Sequence, residues 1–166
     1  MVNPGPLKGY ILEEVLVFQI QIAGYRLLQR ATQDPDYLRD GPHGLLVKGR
    51  GSDHQADVLG QFQWAPAFSF PIRLFVEAKW RSTIGIEQVR NAIGVISDVS
   101  QYTPDRKDDE YPTLRYNWCY TLFSPGRFTA PAKQLAVAHG ISLVELSEQG
   151  HSVLGGSQRP SRDASL

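Results

Sequence analysis

The segment Ile72–Lys79 constrains the fold of this chain more than any other part of its sequence. It is almost continuously apolar up to Glu77 and contains β-branched and aromatic residues, which favour strands. A short run of this kind is typical of a strand that is covered on both faces. The sequence therefore predicts a sheet with a packed layer on each side.

The rest of the chain alternates between helical and strand patterns. Apolar residues recur at helical spacing from Leu7 onward, after Pro4 and Pro6, while the stretch 31–44 is polar and predicts a loop with at most one helical turn. The predicted helices cover 7–23, 86–99 and 129–139, and the predicted strands cover 25–28, 45–47, 56–62, 72–79, 116–122 and 141–146. Strand pairs early and helix–strand alternation late predict an α/β fold with helices on both faces of a mixed sheet.

Composition limits the function classes that the chain can belong to. Its 166 residues are 42% hydrophobic and carry no net formal charge, which fits one globular domain and excludes a polybasic nucleic-acid binder. A single cysteine excludes a disulfide scaffold and a cysteine-cluster zinc site, and predicts a cytoplasmic location. No apolar run approaches the roughly 18 residues of a membrane span, and no secretory signal is evident. We expect a folded domain over 1–146 and a flexible tail or linker over 147–166.

Charged residues stand at the ends of the two strongest strand segments. Asp57 precedes one apolar run, and Glu77 and Lys79 close the other. Adjacent antiparallel strands bring such ends together, and strand alternation places Glu77 and Lys79 on one face. Buried charges are costly unless something binds there, and carboxylate oxygens suit Mg²⁺. Histidine zinc motifs, a Walker loop and a dinucleotide-binding motif are absent from the sequence.

These residues resemble the D…(D/E)-x-K core of the PD-(D/E)XK nuclease superfamily, with Ala56 in place of the motif's proline. Segments 8–25, 51–57, 123–129 and 140–146 are similar to parts of Mrr-type restriction endonucleases and Holliday-junction resolvases. The resemblance spans residues 8–146. It implies a three-layer α/β/α restriction-endonuclease-like fold with a central mixed sheet.

The resemblance also implies an activity, that of a Mg²⁺-dependent endodeoxyribonuclease of the restriction or defence type. Asp57, Glu77 and the Ala78 carbonyl would hold the metal, joined by Glu13, and Mn²⁺ would substitute for Mg²⁺. Such a metal lowers the pKa of bound water towards about 7. Lys79 would orient the attacking water rather than act as a free base, because the neighbouring carboxylates favour its charged form.

Further residues receive roles from the same resemblance. Gln88, at the start of the second helix, would orient water or contact DNA, and Arg50, Arg81 and Arg90 would contact phosphates. The implied partner is DNA, double-stranded first of all. A homodimer and a further domain beyond Leu166 stay open, and RNA cleavage is not excluded.

Simpler readings compete with each assignment. Glu77 and Lys79 alone would also fit a surface salt bridge, and a D-x-K triplet recurs by chance at 105–107. Glu13 and its neighbour Glu14 are both candidates for the helical glutamate that joins the metal site, and the resemblance favours Glu13. Gln88 would also fit an exposed helix position, and Asp53 and His54 fit turn residues better than ligands. The class-level alternative is a catalytically silent nucleic-acid-binding or assembly module on the same fold.

Overall fold

The computed structural model describes the backbone of residues 4–65, 67–105, 114–147 and 150–154, and the side chains of 13–65, 67–105 and 114–146. The helices are α1 (Pro4–Ile22), α2 (Ile86–Ser100) and α3 (Ala130–Ala138). The strands are β1 (Tyr25–Leu27), β2 (Leu38–Gly41), β3 (Gly44–Lys48), β4 (Asp53–Gln55), β5 (Val58–Phe62), β6 (Ile72–Ala78), β7 (Thr83–Ile84), β8 (Asn117–Ser124), β9 (Arg127–Phe128), β10 (Ile141–Ser147) and β11 (Gly150–Leu154).

A six-stranded mixed sheet in the order β1-β5-β6-β8-β10-β11 forms the centre of the molecule. The strands β1, β5 and β6 pair antiparallel, β6, β8 and β10 pair parallel, and β11 is antiparallel to β10. Helix α1 packs over β1 and β5, whereas α2 and α3 pack over β8 and β10. The α/β fold predicted from the sequence, with helices on both faces of a mixed sheet, is confirmed.

The core divides into two clusters because successive strand residues point to opposite faces of the sheet. Phe75 belongs to the larger cluster beneath α2 and α3, and its neighbour Val76 belongs to the smaller cluster beneath α1. Leu16 and Ile20 of α1 are both buried in the smaller cluster. The β6 run is therefore apolar because it is covered from both sides, as predicted.

Three boundaries differ from the prediction. Helix α1 begins at Pro4 rather than after Pro6, which the first turn tolerates because its N–H groups have no helical partner. The predicted loop 31–44 contains β2, whose Leu38 pairs with Val47 of β3, and both side chains are buried. The predicted tail contains β11, which pairs with the edge of β10.

The chance triplet at 105–107 lies mostly outside the described residues, as do 155–166. Within the described part of the chain, no helix combines the length and apolarity needed to cross a membrane.

Candidate active site

Asp57 stands immediately before β5, next to the end of β6. The antiparallel register pairs Val58 with Val76, so Asp57 lies beside Glu77. The Asp57 backbone N–H donates to the Val76 carbonyl at 3.0 Å. The Ala78 backbone N–H donates to Asp57 Oδ2 at 2.7 Å. The aspartate is thus fixed to β6 through its main chain and its side chain.

Glu77 lies between two donors on the α2 side of the sheet. Lys79 Nζ forms an ion pair with Glu77 Oε1. The Tyr120 hydroxyl donates to Glu77 Oε2 at 2.5 Å, and the Tyr120 ring stacks on Phe75 with centroids 4.9 Å apart. Asp57, Glu77 and Lys79, predicted to converge, therefore lie together at one end of β5 and β6.

Glu13 approaches this site from α1. It lines a cleft of about 250 Å³ together with Asp57, Val17 of α1 and residues that follow β1 and β4. Glu14 does not line the cleft. Of the two candidate glutamates, the structure brings Glu13 to the site.

Burial, together with repulsion between carboxylates, raises the pKa of both acidic residues that line the cleft. Burial raises the pKa of Asp57, and repulsion from Glu77 adds to the rise, while the Ala78 N–H and the Lys79 ammonium oppose it. Burial also raises the pKa of Glu13, with repulsion from Asp57 as the next cause. A cation bound between these carboxylates would relieve this repulsion.

Three cleft residues were not predicted from the sequence. Gln29 follows β1, His43 lies in the β2–β3 turn and Gln55 ends β4, so only folding brings them together. Gln55 Nε2 donates to the His43 carbonyl at 2.9 Å, which ties β4 to that turn. Tyr120 was also missed, because a tyrosine inside a strand carries no signal of its partner.

Gln88 sits in the first turn of α2. Its Oε1 accepts a hydrogen bond from the Gly85 backbone N–H at 3.2 Å, so its carboxamide caps the helix. No hydrogen bond joins Gln88 to Asp57, Glu77 or Lys79 among the described residues. In this geometry the Gln88 carboxamide oxygen caps α2, and its contact with water or DNA stays a prediction.

The predicted phosphate-binding arginines are dispersed. Arg81 follows Lys79 by two residues and is exposed. Arg90 pairs with Glu87 on α2, with 2.6 Å between Nη1 and Oε1. Arg50 Nη1 donates to Gln101 at the far end of α2, at 2.5 Å. Among the three, Arg81 is adjacent to the candidate site in the chain.

The turn before β4 binds a carboxylate from within the chain. The N–H groups of Gly51 and Ser52 donate to Asp98 of α2 at 2.8 and 3.1 Å, and His54 Nε2 lies 2.8 Å from Asp98 Oδ2. The hydrogen bond with His54 is the largest cause that lowers the pKa of Asp98. His54 thus connects the turn to α2 and lies outside the candidate site.

The donor chemistry at the site fits a hard cation. Two carboxylates, the Ala78 carbonyl and the Glu13 carboxylate are oxygen donors of the kind that Mg²⁺ selects, and Mg²⁺ retains several waters. In the described part of the chain, no three His, Cys, Asp or Glu side chains form a ready-made metal-binding group. A metal here would therefore rely on few protein ligands completed by water.

Comparison with solved structures identifies a similar fold in a protein of unknown function, AF1548. The match covers 81% of this chain and 56% of that chain, with a TM-score of 0.54 and 14% identity. At this identity the likeness shows the fold alone. The chain spans just over half the length of AF1548. No family model matches the chain, and no curated protein matches it.

Proposed function

We propose that this chain is a Mg²⁺-dependent endodeoxyribonuclease domain that hydrolyses phosphodiester bonds in DNA, in the manner of Mrr-like restriction enzymes. The observation that carries the proposal is the convergence of Asp57, Glu77 and Lys79 at one end of β5 and β6. Asp57 stands about 20 residues before Glu77 and Lys79 in the chain, and the antiparallel pairing of β5 with β6 places it beside them. Asp57 also lines the adjoining cleft together with Glu13, which opens that side of the site to the outside.

Asp57, Glu77, the Ala78 carbonyl and Glu13 would hold the metal. When bound, it would lower the pKa of a coordinated water and offset charge on the scissile phosphate. Asp57 Oδ1 has no hydrogen-bond partner among the described residues, so it is available for this purpose. Fixing Asp57 Oδ2 to the Ala78 N–H keeps that free oxygen in a defined position.

Lys79 would orient the attacking water and stabilise negative charge as it develops on the phosphate. Its ammonium pairs with Glu77 and lies near Asp57, a position that suits stabilisation of negative charge beside the metal ligands. Tyr120 holds the other Glu77 oxygen, which keeps the carboxylate from rotating away when Lys79 turns to a substrate.

DNA contact would rely on the strand-end loop around the site. Arg81 is exposed there, and Trp80 beside it is 49% exposed. The aromatic residues Trp64 and Phe68 lie in the loop at the opposite end of the β5–β6 hairpin, so they are poorly placed for stacking on the same DNA segment. With no net charge on the chain, we expect modest and strongly salt-dependent DNA affinity.

The proposal is tested by digestion of supercoiled, linear, methylated and single-stranded DNA with Mg²⁺, with Mn²⁺ and with chelator. We expect cleavage only when a divalent ion is present. Cleavage products that form equally in chelator would contradict a metal-dependent reaction. If all of the DNA substrates stayed uncut, nuclease activity would be contradicted.

Asp57→Asn is expected to weaken Mn²⁺ binding strongly, because it removes charge while the amide oxygen still accepts the Ala78 N–H. The loss of Mn²⁺ affinity should exceed the roughly 10- to 100-fold loss that follows substitution of a residue hydrogen-bonded to a metal ligand. Isothermal titration calorimetry measures it. Asp53→Asn is the matched control, because Asp53 pairs with Arg39 away from the cleft. Equal affinities in both variants would locate the metal elsewhere.

Glu13→Gln is expected to reduce cleavage more than Glu14→Gln. Glu13 lines the cleft and interacts with Asp57, whereas Glu14 does neither. Initial rates at saturating Mg²⁺ compare the two variants, which are adjacent on the same helix and differ from wild type by the same atoms. A larger loss in Glu14→Gln would reverse the assignment.

The silent-module alternative is favoured by one observation. Both oxygens of Glu77 already have partners, Lys79 and Tyr120, so the cluster is satisfied without a metal. If the chain is a silent module, we expect it to bind DNA equally well with and without Mg²⁺ and to leave all of the DNA substrates uncut.

A further inference from the structure

Helix α1 is apolar on more sides than the sheet covers. Leu16 and Ile20 are buried against the sheet, but Val15, Phe18 and Ile22 are 40%, 64% and 70% exposed. These three residues follow helical spacing and form one continuous stripe, which we call the α1 ridge. An apolar stripe on a helix is typically buried against a partner element.

A groove lies beside the α1 ridge on the same face of the sheet. Helix α1 covers β1 and β5, and the adjoining strands β6, β8 and β10 are left partly open on that face. The groove between α1 and these strands has a volume of about 530 Å³, and none of the side chains that line it is charged. Leu74, Phe123 and Val144 contribute to its apolar wall, and Cys119 opens into it. An apolar surface of this kind marks an interaction site.

We propose that the groove and the α1 ridge form the interface between two copies of this chain. In a two-fold dimer each subunit presents the same patch, so the patch must complement itself. A protruding apolar ridge next to an uncharged apolar groove meets that requirement, because the ridge of each copy fills the groove of the other. The zero net charge of the chain adds no overall repulsion.

Other occupants fit this surface less well. Residues 155–166 contain Leu166 as their single large apolar residue, so this segment offers little to fill the groove. An acidic or basic partner would find no charge in the groove to pair with. A second copy supplies Phe18 and Ile22, the apolar side chains that are exposed and need cover.

The proposed interface leaves the candidate active site open. Glu13 and Val17 line the cleft on one side of α1, and Gln19 and Ala23 line the groove on its other side. The dimer would therefore carry two independent clefts. Its test does not depend on nuclease activity.

Sedimentation velocity from micromolar to submillimolar concentrations tests the proposal. Wild type is expected to reach twice the 18.5 kDa of one chain. Ile22→Glu should remain monomeric, because two charges would be buried at the symmetric contact. Val137→Glu is the matched control, since Val137 is 68% exposed but lies on α3 at the opposite face. That variant should dimerise like wild type.

Cys119 gives a second test that needs no substitution. It is the chain's single cysteine and opens into the groove, so a maleimide added to dilute folded protein modifies that site alone. We expect the modified protein to stay monomeric. A wild type that is monomeric throughout, a dimer that survives both Ile22→Glu and the maleimide, or a dimer that Val137→Glu dissociates would overturn the proposal.

Discussion

Lys79→Ala is expected to abolish DNA cleavage while leaving the fold intact. If Lys79 orients the attacking water and stabilises the phosphate charge, its loss should slow cleavage by about 10²- to 10⁴-fold. The fold should survive because Lys79 is 36% exposed and its pair with Glu77 is partly solvated. Pairs of this kind contribute at most about 1 kcal/mol. Tyr120 still donates to Glu77 in the variant.

Lys133→Ala is the matched control for this experiment. Lys133 pairs with Glu145 at 3.0 Å and is 37% exposed, so the control removes a similar lysine–glutamate pair two strands away. Both variants should unfold at similar urea concentrations, but only Lys79→Ala should lose cleavage. Contaminating nuclease is excluded when the cleavage activity co-elutes with the protein on a column. If a Lys79→Ala protein purified in this way still cuts DNA, the nuclease assignment is wrong.

The convergence at the site was predictable because it follows from local pattern and strand geometry. One apolar run begins after Asp57 and the other closes with Glu77 and Lys79, and the antiparallel pairing of β5 with β6 brings those ends together. Nothing in that argument requires knowledge of distant contacts. The same reasoning located β6, α2 and α3 to within about two residues.

The surroundings of the site were not predictable in this way. His43 reaches the cleft only because β2 folds back on β3, and β2 was interpreted as loop from its glycine and proline content. Gln29 reaches it through the pairing of β1 with β5, which local pattern does not specify. Gln88 was given a catalytic role, yet a glutamine three residues into a helix also suits the free N–H at the helix start. A sequence pattern shows which residues are polar, but it does not show which group each of them hydrogen-bonds to in the folded chain.

Arg73→Met is expected to lower the free energy of unfolding by about 3–5 kcal/mol, as removal of one partner from a buried pair does. Arg73 is 1% exposed, and its Nη2 donates to Asp34 at 2.5 Å and to Gln61 at 3.2 Å. Its guanidinium carbon lies 3.4 Å from the centroid of the Tyr116 ring. Methionine fills much of the same volume but leaves the Asp34 carboxylate without its cation.

The Arg73 environment makes this loss larger than that of a surface pair. Burial, opposed by the Arg73 charge, raises the pKa of Tyr116 to about 12, and the Tyr116 hydroxyl also donates to Asp34 at 2.8 Å. Arg73 Nε and Nη1 have no hydrogen-bond partner among the described residues, so the aromatic rings beside the guanidinium supply part of its stabilisation. Arg73 therefore links β6 to the turn that precedes β2.

Urea unfolding of three variants separates these contributions. Arg39→Met removes a pair with Asp53 in which Arg39 is 62% exposed, and should cost at most about 1 kcal/mol. Arg73→Met combined with Asp34→Asn should recover part of the Arg73→Met loss, because no uncompensated charge stays buried while the amide oxygen still accepts from Tyr116. If Arg73→Met costs no more than Arg39→Met, the guanidinium is expendable and apolar packing alone holds β6 against the β2–β4 sheet. If the double variant is as unstable as Arg73→Met, the loss comes from the aromatic contacts rather than from the buried charge on Asp34.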